Sequence, residues 1–116
     1  MLPEADVIRL RHMLDASVEA AEFLEGRVRS DLDTDRILSR AVVRDIEIIG
    51  EAASTVSPDT RKQYAGLPWG NIVAMRNRLI HGYFDIDLDR VWDTVEDDLP
   101  PLVAELRRIL ADIGER

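Results

Sequence analysis

The residues best suited to chemistry lie in one nine-residue stretch, MRNRLIHGY at positions 75–83. Arg76 carries a guanidinium, which can bind a phosphate through two parallel hydrogen bonds. His81 carries an imidazole, which can take up or release a proton near neutral pH. Asn77 and Tyr83 supply further polar groups, although Asn77 could instead cap the end of a helix. Together these residue types suit acid–base chemistry at a phosphate ester.

The spacing within the stretch limits how one helix could present these side chains. Arg76 and Tyr83 are seven residues apart and share a face if the helix persists, and Asn77 and His81 are neighbours at a separation of four. Arg76 and His81, however, are about 140° apart around an ideal helix. One copy of the stretch therefore does not direct both at one point. A helix that unwinds at Gly82, or a second copy of the chain across a two-fold axis, would remove the conflict.

Three of these residues also have purely structural interpretations. His81, near a predicted helix end, could hydrogen-bond to the last carbonyls or interact with the negative end of the helix dipole. Arg76 could form an ion pair with Glu47 or Glu51, which does not exclude phosphate binding. Tyr83 could be a half-buried aromatic residue of the core.

Helical periodicity accounts for most of the chain. Apolar residues recur at steps of three and four, and capping residues, glycines and prolines separate the periodic segments. No segment alternates as a strand. The predicted helices span about 3–24, 34–56, 58–64, 68–80 and 88–113. We therefore expect an all-α, four- to five-helix up-down bundle in a single domain, 1–116, with a kink near Leu99 where Pro100 and Pro101 interrupt the last helix.

Composition excludes several classes of function. The 116 residues include no Cys, so there are no disulfides, thiolate nucleophiles or Cys-ligated metals. No apolar run is long enough to span a bilayer, and the first residues do not form a signal peptide, so we expect a cytoplasmic protein. The net charge of -8 argues against a general nucleic-acid binder. Residues 57–84 are nevertheless locally cationic, with four basic residues against one acid.

Two other features carry no predicted role. His12 lies among arginines on the first predicted helix and is expected to be exposed. The acidic run that starts at Asp85 resembles a calcium loop because Glu96 is its twelfth residue, but Arg90 occupies the position that requires glycine. Helical periodicity also starts at Leu88, inside that loop, so we reject a calcium site.

The 75–83 stretch also carries a family resemblance. The pattern R-x-x-x-x-H-x-Y, from Arg76 to Tyr83, resembles the signature of the HEPN ribonucleases and, more narrowly, of their HepT toxin branch. The surrounding residues from Trp69 onward are similar to that branch. So are Gly50-Glu51-Ala52 in the second long helix and the run from Trp92 to Pro100.

The resemblance implies a homodimeric, HEPN-like endoribonuclease that needs neither metal nor cofactor. It implies a toxin of a type VII toxin–antitoxin system, which cleaves tRNA or mRNA and is paired with an MNT-type (MntA-like) nucleotidyltransferase antitoxin. By the same resemblance, His81 is the acid/base, Arg76 holds the phosphate, Asn77 orients phosphate or ribose, and Tyr83 is the residue that the antitoxin AMPylates. Arg78 is an RNA-binding candidate from its charge alone.

A second interpretation comes from a different class of function. The chain could be a non-catalytic helical adaptor that binds a minimal nucleotidyltransferase or another partner. Cleavage of RNA in EDTA that is lost on replacing His81 or Arg76 would separate the two.

Overall fold

The structure is a computed structural model that describes residues 2–80 and 85–114. Nearly all of this part of the chain is helical. The helices are α1 (Glu4–Leu24), α2 (Asp31–Thr34), α3 (Arg36–Thr55), α4 (Pro58–Gln63), α5 (Trp69–Leu79), α6 (Leu88–Asp93), a π-helical turn (Thr94–Asp98) and α7 (Leu99–Asp112). None of these helices is both long and apolar enough to cross a membrane.

The all-α class is confirmed, but the predicted count of four to five helices is wrong. Counted with α6, the π turn and α7 as one continuous run, the described residues form six. The additional helix is α2, a single turn between the first two predicted helices. The Asp31 carboxylate accepts a hydrogen bond from the Val28 backbone N–H at 2.9 Å, which orders the entry to this turn. A four-residue helix is too short to show a repeating apolar pattern.

Helix α3 lies between α1 and α5 and runs antiparallel to both. On one side, the Arg9 side chain donates a hydrogen bond to Thr55 at 2.8 Å, and Glu19 of α1 lies against Asp45. On the other side, Arg76 of α5 pairs with Glu47, and the backbone at Ile72 and Val73 approaches Gly50. In each pair, residues later in one helix meet residues earlier in the other, as the up-down arrangement requires.

The core is built from one face of each long helix. Residues at helical spacing on α1, α3 and α7 are completely buried, and burial of a Leu or Ile side chain contributes about 1.5–3 kcal/mol. Fully buried positions include Leu10, Met13, Val42, Ile46, Ile49, Leu99, Leu106 and Ile109. The stability of the bundle therefore comes mainly from α1, α3 and α7.

The helix ends are fixed by specific side chains. Asp35 caps α3 by accepting from the Leu38 N–H at 3.0 Å. Asp87 caps α6, accepting from the Arg90 N–H at 3.0 Å. Because α6 begins at Leu88, the acidic run enters a helix instead of forming a calcium loop.

Two hydrogen-bonded clusters hold α4 in place. Buried Asp6 of α1 accepts hydrogen bonds from the backbone N–H and hydroxyl of Ser57, at 3.0 and 2.5 Å, and from the Thr60 hydroxyl at 2.6 Å. Burial alone would raise the pKa of Asp6, but these hydrogen bonds outweigh it and the pKa lies below its usual value. Arg61 donates to the carbonyls of Ala53 and Ser54, both at 2.9 Å, and so caps the C-terminus of α3.

Asp45 is a buried acid in the contact between α1 and α3. Burial, and then a hydrogen bond with the Glu19 carboxyl and its charge, raise the pKa of Asp45 to about 7. One of its oxygens, Oδ2, has no hydrogen-bond partner. An unsatisfied buried oxygen beside a second carboxyl costs stability whenever both groups are ionised.

A π turn precedes Leu99, next to the position where the sequence predicts a kink. The Leu99 N–H donates to the Thr94 carbonyl five residues earlier, which defines a π turn. Pro100 and Pro101 follow in the first turn of α7, where Pro100 lacks the N–H that a regular helix needs.

Candidate functional site

The helix that carries the first part of the motif is fixed at its start. Trp69, the first residue of α5, donates its indole N–H to the Tyr64 carbonyl at 3.0 Å, and the Arg61 guanidinium lies 5.9 Å from its ring centroid. Trp69, Ile72, Met75 and Leu79 form the buried face. The opposite side of the last turn therefore exposes Arg76, Asn77 and Arg78.

Helix α5 ends within one residue of the predicted boundary. Its last residue is Leu79, and Ile80 has an extended backbone that forms an isolated antiparallel bridge with Ile86. The Asp87 N–H donates to the Leu79 carbonyl at 2.7 Å. The described residues on both sides of 81–84 are thus joined to each other.

The second half of the motif falls in that interval. The predictions for His81, Gly82 and Tyr83 lie outside the described residues. The shared faces of Arg76 with Tyr83 and of Asn77 with His81 were expected only if the helix persisted, and α5 ends at Leu79.

Arg76 forms the ion pair that the sequence left open between two acids. Its Nε atom lies 3.1 Å from Glu47 Oε2 on α3. Glu51, the other candidate, pairs instead with Arg44 at 3.6 Å. About half of the Arg76 side chain remains exposed, so the guanidinium can still reach a ligand.

The exposed part of Arg76 lines a groove of about 860 Å³ between α2, α3 and the end of α5. Arg36 and Arg40 of α3 line the same groove, as do Ile80 and Ile86, the two bridged residues that flank the undescribed part of the motif. The groove thus brings together three arginines and the described ends of the segment that carries His81.

Sequence reasoning missed Arg36 and Arg40. Both lie in the acidic first half of the chain, outside the locally cationic segment 57–84. The signal was their separation of four residues, which places both on one face of the predicted helix.

Arg78 does not lie with Arg76. It donates a hydrogen bond to Asn71 Oδ1 at 2.7 Å and lines a separate groove of about 440 Å³. That groove also contains Asp97, Asp98 and Glu105, so its charge opposes binding of a polyanion. Asn77 lies on the exposed side of α5 and lines neither groove.

The remaining sequence predictions concern residues outside this groove. His12 is exposed on α1, as expected. Across residues 2–80 and 85–114, no three His, Asp or Glu side chains converge as ligands for a metal ion.

Comparisons with known proteins show the family of the chain. A family described as "Ribonuclease HepT-like" matches residues 13–109, so the chain belongs to the HepT-like ribonuclease family. "Putative RNase TTE0752" of Caldanaerobacter subterraneus subsp. tengcongensis is 36% identical over 104 residues, 86% of this chain and 93% of that protein. "Probable ribonuclease HepT" of Thermococcus cleftensis is 34% identical over 100 residues, 83% of this chain and 91% of that protein.

One relative is much longer. "Gamma-glutamylcyclotransferase and putative RNase MJ0434" of Methanocaldococcus jannaschii is 35% identical over 108 residues, 93% of this chain but 49% of that protein. The chain thus spans about half the length of that relative. No solved structure matches the chain.

Proposed function

We propose that this chain is a metal-independent endoribonuclease that uses the 2′-hydroxyl of RNA as its nucleophile. The observation that carries the proposal is the position of Arg76, ion-paired with Glu47 at 3.1 Å and half exposed in a groove that Ile80 and Ile86 also line. A guanidinium held in this way can bind the scissile phosphate and stabilise the charge that builds up on it.

His81 acts as the acid/base in this proposal. The 2′-oxygen attacks phosphorus as its proton is removed, the bond to the 5′-oxygen breaks, and a proton is delivered to that leaving oxygen. The products are a 2′,3′-cyclic phosphate and a 5′-hydroxyl. The two proton transfers need two groups or one group acting twice, and a homodimer with two copies of the motif in one cleft would supply two. The family resemblance assigns Asn77 to orienting phosphate or ribose, which it would do from the exposed side of α5 next to Arg76, outside the groove lining.

The test is cleavage of RNA in the presence of EDTA. We expect fragments that end in 2′,3′-cyclic phosphate, and loss of these fragments in His81→Ala and Arg76→Ala. A requirement for divalent metal would contradict the mechanism. A sedimentation measurement that finds only monomers at the assay concentration would contradict the dimeric site.

We propose further that the chain is the toxin of a HEPN/MNT pair acting in the cytoplasm on tRNA or mRNA. In this scheme the antitoxin, a nucleotidyltransferase, transfers AMP from ATP to the phenol oxygen of Tyr83 with release of pyrophosphate. The adduct places bulk and negative charge where the RNA phosphate binds. Intact mass after incubation with the antitoxin and ATP should rise in AMP units for the wild type and stay unchanged for Tyr83→Phe. Growth arrest on expression, relieved by the neighbouring nucleotidyltransferase gene, checks the toxin role.

The second candidate is the non-catalytic adaptor. The ion pair between Arg76 and Glu47 favours it, since a structural role for Arg76 would need no further ligand. A stably folded protein that cleaves no RNA but binds the nucleotidyltransferase would select this alternative.

A further inference from the structure

One stripe of side chains on α3 faces the groove that contains Arg76. Its members are Arg36, Ser39, Arg40, Val43 and Glu47, which lie three or four residues apart except for the adjacent Ser39 and Arg40. This spacing keeps them on one face of the helix over about 16 Å, at 1.5 Å per residue. The stripe begins with two arginines and ends at the carboxylate that holds Arg76.

The charges of the groove do not cancel. Glu47 is paired with Arg76, and Asp33 is paired with Arg29 at 3.2 Å. Among the described residues, these are the two acids that line the groove. Arg36 and Arg40 are both exposed, and neither makes an ion pair or side-chain hydrogen bond with another described residue. Two uncompensated positive charges therefore remain on one face of a protein whose net charge is -8.

We propose that Arg36 and Arg40 bind the phosphates of the RNA strand next to the scissile phosphate. This inference rests on the proposed ribonuclease function and deepens it, because it assigns the substrate-binding surface to α3. Four helical residues span about 6 Å, comparable with the separation of successive phosphates along a strand. The strand would run along α3 from Arg36 towards Arg76, and the acidic groove that contains Arg78 would not hold it.

Binding can be measured apart from cleavage with a 2′-O-methyl oligoribonucleotide, which lacks the nucleophilic hydroxyl. Fluorescence anisotropy over a series of salt concentrations should show weaker binding for Arg36→Ala and for Arg40→Ala, each by about 3–10-fold. Each change should also reduce the slope of log K against log salt by about 0.7, the value for one phosphate contact on a single strand.

Matched controls separate a local contact from the effect of total charge. Arg107→Ala removes an exposed arginine from α7, away from the groove, and should leave the salt slope unchanged. Arg36→Lys with Arg40→Lys keeps both charges and should retain most of the slope, since Lys binds phosphate as a point charge. Circular dichroism should be the same for all variants because both arginines are exposed.

The inference is overturned if Arg36→Ala with Arg40→Ala binds the oligonucleotide as the wild type does, if Arg107→Ala weakens binding equally, or if the wild type does not bind it. Loss of nucleotidyltransferase binding with unchanged RNA binding would also overturn it and assign the stripe to a protein partner.

Cleavage by the wild type that is unaffected in the double variant would reject this stripe and leave the ribonuclease function supported. RNA binding that depends on the two arginines, without any cleavage, would support the stripe and reject the ribonuclease function.

Discussion

The two sides of α3 make contacts that differ in their electrostatics. The side that faces α1 buries Asp45 beside Glu19 and leaves one of the Asp45 oxygens without a hydrogen bond. The side that faces α5 is closely packed at Gly50 and carries its ion pair, Glu47 with Arg76, at the edge of an open groove. A single helix thus has an electrostatically unfavourable contact on one side and the candidate site on the other. Stability and activity should therefore respond to different substitutions along it.

The largest effect should appear when the two arginines at the end of α5 are replaced one at a time and RNA cleavage is compared. Arg76→Ala should reduce RNA cleavage by about 100-fold or more, because it removes the guanidinium that stabilises the negative charge building up on the phosphate. Arg78→Ala should change cleavage by less than about 3-fold, since Arg78 lies in the other, acidic groove and acts only through long-range charge. Initial rates on one RNA substrate measure both.

Urea unfolding provides the control for that pair. The ion pair of Arg76 is half exposed, so its loss should change the free energy of unfolding by less than about 1 kcal/mol. Equal loss of activity in the two variants would remove the distinction between the grooves.

The next largest effect concerns the packing between α3 and α5. A Cβ atom at Gly50 would lie 3.4 Å from the Val73 carbonyl oxygen and 3.5 Å from that of Ile72, at the limit of ordinary contact. The branched side chain in Gly50→Val should push the helices apart and reduce the free energy of unfolding by about 1–3 kcal/mol. It should also reduce cleavage, because Glu47 and Arg76 span the same contact.

Gly70 offers the matched glycine, since a Cβ there meets no atom within 4 Å. Gly70→Ala, near the start of α5, should stabilise the protein by up to about 1 kcal/mol, because alanine favours the helix. Thermal and urea unfolding of the two variants should move in opposite directions. A destabilised Gly70→Ala would indicate that helix propensity does not govern this position.

A smaller effect, on stability alone, is expected where α3 faces α1. The pKa of Asp45 is about 7 in the folded protein, above its ordinary 3.8, so the folded state holds a proton that the unfolded state releases between these values. The free energy of unfolding should fall as pH rises through this window and level off above about pH 7. Asp45→Asn should flatten that slope and stabilise the protein by about 1 kcal/mol at pH 8, with cleavage unchanged.

Asp6 should give the opposite dependence of the free energy of unfolding on pH. Its pKa lies below the ordinary value, because hydrogen bonds from Ser57 and Thr60 outweigh burial. Ionised Asp6 therefore contributes to the free energy of unfolding above about pH 4, and this contribution is lost on acidification. Asp6→Asn should destabilise the protein at pH 7, where Asp45→Asn stabilises it. The same sign for both variants would contradict the assigned protonation states.

Helical periodicity was sufficient to predict the long helices within about two residues, because each buries an apolar stripe. It could not show α2, which is one turn long, or the pairing of Ile80 with Ile86 that follows α5. That pairing joins residues six apart through their backbones, and backbone pairing leaves little trace in residue type.

The electrostatic part of the site was harder to predict than the fold. Charge summed along the sequence favoured residues 57–84, but Arg61 caps α3 and Arg78 lies among acids. The cationic groove instead combines Arg76 with Arg36 and Arg40, some forty residues away in the chain. A local sum fails here because helical geometry sends residues two apart to opposite faces and brings distant residues together.

The π turn at Thr94–Asp98 gives the C-terminal helix one residue more than a regular turn requires. Deleting a residue in the first turn of α7 would rotate everything beyond it by about 100° and turn Leu102 and Leu106 away from the core. Removing the exposed Asp97 would instead convert the wide turn into an ordinary one and leave both flanking segments in phase. The chain therefore has one place in its final helix where its length can change by a residue without altering the packing of the bundle.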